Sequence, residues 1–219
     1  MGFDAVWISP VVANFEGNSS LGEAFHGCVR RRALVYVNML AHSRDIRYWT
    51  KDFDSLNPHF GTSDDLRALS DALHKRGMYL MLDVVVNHMA TPDPNANFTN
   101  FSPPFSDASS FHTRCFVGDT NNQTIIEQCW LGDANLPLPD VNTENPTVVA
   151  KLLDWIRKLV QDYGVDGLRI DTVKHVRKDF WPDFAKAAGV FTLGEVFIGD
   201  TDYAAQYTGQ YLIARMRLW

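Results

Sequence analysis

The chain has 219 residues, 46% of them hydrophobic and 21% charged, and its 26 acidic and 20 basic side chains give a net charge of −6. That length holds one sizeable core, or one domain with an inserted lobe. The acidic balance argues against a nucleic-acid partner, and no apolar run reaches the roughly 18 residues of a membrane span.

The opening "MGFDAVWISP" lacks the basic head and apolar core of a secretory leader. It reads instead as a buried strand over 3–9, ended by Pro10. Residues 28–47 do not fit the acidic chain around them: they carry five Arg and one acid, and taken alone read as a basic surface helix. "TSDDLRALSDALHKRG" has the punctuation of a helix. Thr62 or Ser63 caps it, Asp64 and Asp65 sit in its first turn, Leu66, Leu69 and Leu73 share a face, and Gly77 ends it. "YLMLDVVVNH" follows as a nearly continuous apolar strand, the kind covered on both faces in a parallel sheet.

Residues 89–145 are rich in Pro, Asn, Ser, Asp and Phe without a long period, and read as an inserted irregular lobe. A helix resumes at Pro146, with Val149, Leu152, Leu153, Ile156, Leu159 and Val160 as its buried stripe and Gly164 at its end. A strand over 166–171, a short helix around 179–188 and a strand over 190–196 follow. The tail over 208–219 looks as foreign as residues 28–47. Strands separated by helices imply an α/β fold with parallel pairing and right-handed crossovers. Four strands are clear, where a closed (β/α)₈ barrel has eight.

Of the three cysteines, Cys115 and Cys129 flank a loop-rich stretch and can close a short bridge, with Cys28 left over. Glycosylation sequons begin at Asn18, Asn97, Asn100 and Asn122. Three of them share the lobe with the two cysteines, which favours an oxidising, secreted setting.

The chemistry concentrates in "DGLRIDTVKH", residues 166–175. Side chains alternate along a strand, so Arg169 and Asp171 face one way while Leu168 and Ile170 face the other. A lone buried carboxylate is costly, and a guanidinium beside it offsets that cost and holds the acid ionised. A purely stabilising ion pair is the plainer alternative. It weakens because Glu195 ends the next strand in "VFTLGEV" and Asp83, Asn87 and His88 end a third. Carboxylates on adjacent strand ends can approach the roughly 5–5.5 Å of a retaining glycosidase. One acid held by Arg169 and another on an apolar strand would have their pKa values pushed apart, as nucleophile and general acid need.

"DVVVNH" (83–88), "GLRIDTVKH" (167–175) and "GEV" (194–196) resemble three of the four signature regions of the secreted α-amylases of glycoside hydrolase family 13, the fungal type in particular. "WISPV", "FHG…YW", "CWLGD…LPD" and "KDFWPDFAKAAGV" resemble it as well. The resemblance implies that Asp171 is the nucleophile and Glu195 the general acid/base, with Arg169 orienting Asp171. It implies that His88 and His26 bond the sugar, that Tyr48 or Trp49 is a stacking platform, and that Lys174 and His175 lie toward the leaving group. It further implies a structural Ca²⁺ held by Asn87, Glu127, Asp140 and the carbonyl of His175, all oxygen donors, and a disulfide between Cys115 and Cys129. The implied partner is a starch-like α-glucan bound by a monomeric, extracellular protein.

On this reading the chain is a partial (β/α)₈ barrel, about strands two to five. Residues 1–88 are a first barrel part, 89–145 an inserted domain between the third strand and third helix, and 146–219 a second barrel part. Residues 28–47 interrupt a motif that the family has continuous, and excising them restores Phe25-His26-Gly27-Tyr48-Trp49. They read as a retained intron, an idea that a spliced transcript encoding them would overturn. No Asn-His-Asp of the fourth signature follows residue 196. The expected function is endo-hydrolysis of α-1,4-glucosidic bonds with retention, by a truncated copy with impaired activity. The competing readings are a non-catalytic glucan-binding or inert fragment, or another family member such as an α-glucosidase.

Overall fold

The computed structural model describes residues 2–15, 18–19, 22–23, 48–91, 95, 97–135, 137–209 and 213–215. Residues 28–47 and His26 lie outside the described residues. The chain begins with β1 (Ala5–Ile8) and β2 (Val12–Asn14), then β3 (Asn18–Ser19) and β4 (Gly22–Glu23), then β5 (Thr50–Leu56). Helix α1 (Ser63–His74) leads into β6 (Tyr79–Val84). The irregular stretch holds α2 (Gln123–Gln128), β7 (Leu131–Gly132) and β8 (Pro137–Leu138). Alternation then resumes with α3 (Pro146–Tyr163), β9 (Gly167–Ile170), α4 (Trp181–Ala188), β10 (Phe191–Glu195), α5 (Thr201–Ala205) and β11 (Ile213–Arg215).

A parallel sheet in the order β1-β6-β9-β10-β11 carries the fold. It has one strand more than the four legible in the sequence. Strand β11 lies in the tail that looked foreign, with Leu193 opposite Ile213. Three residues are too few to show a period, which is why the strand was not legible. The antiparallel pair β2–β5 escaped for a similar reason: its register shifts twice between Val12 and Asn14.

The two sheet faces differ. Leu80, Leu82, Leu168 and Ile170 are fully buried on one face, toward the helices. On the opposite face Trp7, Tyr79 and Phe191 are 47%, 59% and 52% exposed. Strand β1, expected to be buried, is an edge strand whose residues are all at least partly exposed.

Helix α1 starts in a capping box: the Thr62 hydroxyl accepts from the Asp65 amide, and the Asp65 carboxylate accepts from the Thr62 amide. Its buried face runs through Leu66, Ser70 and Leu73, leaving Leu69 partly exposed. In α3, capped by Asn145, the buried stripe is Val148, Leu152, Trp155, Ile156, Leu159 and Val160. Val148 and Trp155 thus take the places expected of Val149 and Leu153, which are only partly buried against the core. Gly164 ends α3 at φ 58°, a left-handed turn suited to glycine.

The lobe is irregular but packed. Asn97, Asp107 and Asn122 each cap a short helical turn. Phe98 stacks on Phe111 at 4.5 Å, and Phe101, Phe105 and Phe111 join the main core. A disulfide joins Cys115 to Cys129. Among the described residues no helix is long and apolar enough to cross a membrane.

The two half-cystines are 14 positions apart, so replacing both with alanine is expected to destabilise the lobe by about 3 kcal/mol. Hydrogen exchange at the α2 amides reads the loss; unchanged protection would contradict it.

Candidate active site

The site forms at the carboxyl ends of β6, β9 and β10. Register places Asp83 opposite Arg169, and Arg169 opposite Leu193. The Asp171 amide donates to the Val84 carbonyl at 2.9 Å, so the carboxylate emerges where β9 ends. The next residue, Thr172, is left-handed at φ 48°, a strained state for a β-branched side chain. That turn brings its amide to Glu195 Oε2 at 3.3 Å.

One guanidinium ties the acids together. Arg169 Nη1 donates to Asp83 Oδ1 at 2.9 Å and to Asp171 Oδ1 at 2.8 Å, and Nη2 lies 2.9 Å from Glu195 Oε2. Its carbon sits 5.7 Å from the Trp7 ring centre and 5.5 Å from that of Tyr48. Both aromatics also donate to Asp83 Oδ2, Tyr48 Oη at 3.0 Å and Trp7 Nε1 at 3.3 Å. The Asp83 side chain is sealed and that of Asp171 nearly so, whereas that of Glu195 is 33% exposed.

These contacts correct the expected electrostatics. Arg169 does not hold Asp171 low. Burial pushes the Asp171 carboxyl up to about 7, Glu195 and Asp83 push the same way, and Arg169 opposes them. Burial raises Asp83 as well, against Arg169, Tyr48 and Trp7. Burial works against the Arg169 charge, but its acidic partners outweigh it and the net shift is upward. One cation divided among three carboxylates cannot neutralise them all.

The other predicted residues divide. Tyr48 is at the site, half-buried against Arg169. Trp49 is not: it is buried with Phe15, Ala90 and Leu138, so it offers no stacking face. His88 is also sealed. Its Nε2 donates to the Tyr48 carbonyl at 2.9 Å and its Nδ1 faces the Asn87 amide at 3.2 Å, which leaves neither nitrogen for a sugar. Burial lowers its pKa to about 4, so it is neutral. His88 therefore holds Tyr48 in place. Lys174 lies near Glu195, its Nζ 3.5 Å from the Phe197 carbonyl, and His175 is half-buried with its pKa lowered to about 4 by burial and by Lys174. Trp7 and the bonding role of Asp83 escaped sequence reading, although an acid in the apolar run "LMLDVVV" on the same alternation as Arg169 was an available signal.

The oxygen donors expected around a cation can also be tested. Asn87 Oδ1 and Asp140 Oδ1 are buried with no hydrogen-bond partner, and their residues are adjacent, since Asp140 bridges to His88. Two buried, unsatisfied oxygens of these kinds suit a hard cation. The other Asp140 oxygen faces His112 Nδ1 at 2.5 Å, and burial raises the Asp140 pKa to about 7. Glu127 lies on α2, which packs on the turn holding His175. Among the described residues no three His, Cys, Asp or Glu side chains form a metal cage by themselves; the expected set has two acids and draws its remaining oxygens from an amide and a carbonyl.

Parallel β/α units with acids at the strand ends are the architecture of part of a (β/α)₈ barrel. The chain belongs to the alpha-amylase catalytic domain family, whose pattern matches residues 1–213. It is 46% identical over 209 residues to alpha-amylase 1 of Lipomyces kononenkoae, covering 94% of this chain and 30% of that one. It is 42% identical to alpha-amylase mde5 of Schizosaccharomyces pombe, over 94% of this chain and 36% of that one. The solved alpha-amylase of Malbranchea cinnamomea superposes with a TM-score of 0.80 at 42% identity, over 94% of this chain and 39% of that one. The chain thus spans about a third of the length of these relatives.

Replacing Arg169 with methionine should cost roughly 3–5 kcal/mol, because it strands buried acids without a partner. Asp171 behaves differently. Its carboxyl titrates at about 7 in the folded protein against 3.8 ordinarily, so between those values the folded state binds more protons than the unfolded state. Stability contributed by this group therefore falls as pH rises through the window. Asp171→Asn is expected to raise the urea midpoint at pH 8 and to leave it nearly unchanged at pH 4; an equal shift at both would refute the assignment.

Proposed function

We propose that the chain is part of a retaining α-amylase that cleaves internal α-1,4-glucosidic bonds in starch-like glucans. The observation that carries this reading is the grip of one Arg169 guanidinium on both Asp171 and Glu195 at neighbouring strand ends. Retaining glycosidases need two carboxyls about 5–5.5 Å apart. In the first step an Asp171 oxygen bonds to the anomeric carbon as the glycosidic bond breaks, and Glu195 passes its proton to the departing oxygen. In the second, Glu195 takes a proton from water as that water attacks the anomeric carbon and releases Asp171. The second step returns to Glu195 the proton lost in the first, so the two together restore the starting protonation. Asp171 acts as the anion and Glu195 as the acid, so turnover should pass through a maximum as pH is varied. The one-third exposure of the Glu195 side chain supports its role as the acid that a leaving group and water can reach. Asp83 and Tyr48 fix Arg169, and Lys174 lies toward the leaving group.

Asn87, Asp140, Glu127 and the His175 carbonyl would hold a calcium ion, a hard cation that neutralises Asp140 and ties the lobe to the sheet. The lobe disulfide and the exposed sequon residues Asn97, Asn100 and Asn122 support an oxidising, secreted setting in which those asparagines carry glycans.

Release of reducing ends from soluble starch with calcium present tests the reading. Glu195→Gln is expected to lower the rate by about 10²–10⁴-fold while leaving binding of a maltooligosaccharide intact. Binding without turnover in the parent chain would favour a non-catalytic glucan-binding protein instead.

A further inference from the structure

Gln123, the first residue of α2, is the meeting point of three chain segments that are distant in sequence. Its Nε2 donates to Glu127 Oε1 at 2.5 Å, one turn along the same helix. It also donates to the Lys174 carbonyl at 2.9 Å and lies 3.4 Å from the Tyr207 hydroxyl. Its Oε1 accepts from the Tyr203 hydroxyl. The orientation of the amide is set by its surroundings, because a carboxylate and a carbonyl can only accept, so the NH₂ must face them. The two tyrosines are themselves held: Lys178 Nζ lies 4.9 and 5.1 Å from their ring centres and donates to Gln206 Oε1 at 2.5 Å.

Glu127 and the carbonyl next to Lys174, that of His175, are two of the four oxygen donors assigned to the cation above. Neither belongs to the strand-end pair of Asn87 and Asp140. They come from the lobe helix and from the turn after β9, segments with no covalent reason to stay in register. The Gln123 side chain bonds Glu127 itself and, on the turn, the Lys174 carbonyl one residue before that of His175. Ligands held by outer hydrogen bonds need no reordering when the ion arrives.

We propose that Gln123 is a positioning residue for cation binding: its amide locks Glu127 to the Lys174–His175 turn, and Tyr203 locks the amide, so that α5 helps set the affinity of the lobe–sheet junction. This rests on the calcium reading given under the proposed function. Glutamate at 123 would set a carboxylate against Glu127 and a carbonyl, and methionine keeps the length but makes none of the bonds.

Calorimetric titration of the full chain with calcium tests the proposal. Gln123→Met is expected to weaken binding about 10–100-fold, with the circular dichroism spectrum unchanged. Tyr203→Phe keeps the ring over Lys178 and removes the hydroxyl alone, and should weaken binding in the same direction by a smaller factor. Parent-like affinity in either folded variant overturns the proposal and leaves the calcium reading standing. Should Gln123→Met not fold, Tyr203→Phe decides. A parent chain that takes up no calcium, or an Asp140→Asn variant that binds as tightly as the parent, removes the calcium reading and this inference with it.

Discussion

A single cation shared by three buried or half-buried acids is the constraint on which the rest of this structure depends. Arg169 reaches Asp83, Asp171 and Glu195 through two nitrogens. To do so it needs β6, β9 and β10 side by side in one register, their polar ends on one rim. The helices behind the sheet exist, in this sense, to hold that register. Trp7 and Tyr48 flank the guanidinium and cap Asp83, which keeps the cation from turning away. The arrangement leaves excess negative charge inside the fold. It is a strained, destabilised feature of the kind that persists where chemistry is done.

The same rim explains why the inserted lobe departs from β6 and returns before α3. Asn87 and His88 continue directly from the strand, and Asp140 comes back beside them. The acids proposed for catalysis and two of the proposed cation donors, Asn87 and Asp140, therefore sit on the same rim, a few residues beyond the end of β6. A change at the junction is felt at the acids through very little intervening structure: His88 bonds the carbonyl of Tyr48, and Tyr48 bonds Asp83.

Much of this was legible in the sequence, for identifiable reasons. Period-two alternation puts Arg169 and Asp171 on one face, and Pro146 and Gly164 mark the two ends of α3. The lobe was legible as a departure from periodicity, and its disulfide from the family resemblance. What escaped depended on counting neighbours in space. The sequence pairs Arg169 with Asp171, but it does not reveal that Asp83 and Glu195 draw on the same charge, so the direction of the Asp171 shift was misjudged. The family resemblance assigns His88 and, as the alternative to Tyr48, Trp49 to the substrate, yet packing buries both. Strand β11 was too short to carry a pattern, and Leu69 of α1 fell one position off the buried face.

The parallel order of the sheet bears on how the chain is made. Trp7 meets Asp83 across 76 positions, and Asp83 meets Arg169 across 86. A ribosome extends a chain at roughly 5–20 residues per second, so β1 waits several seconds for β6, and β6 as long again for β9. Through that interval the side chains of β1 that β6 covers lack that partner, and closing such long loops is intrinsically slow. For a nascent chain of this design, chaperone occupancy during synthesis matters as much to the yield of folded protein as the energy of the finished core.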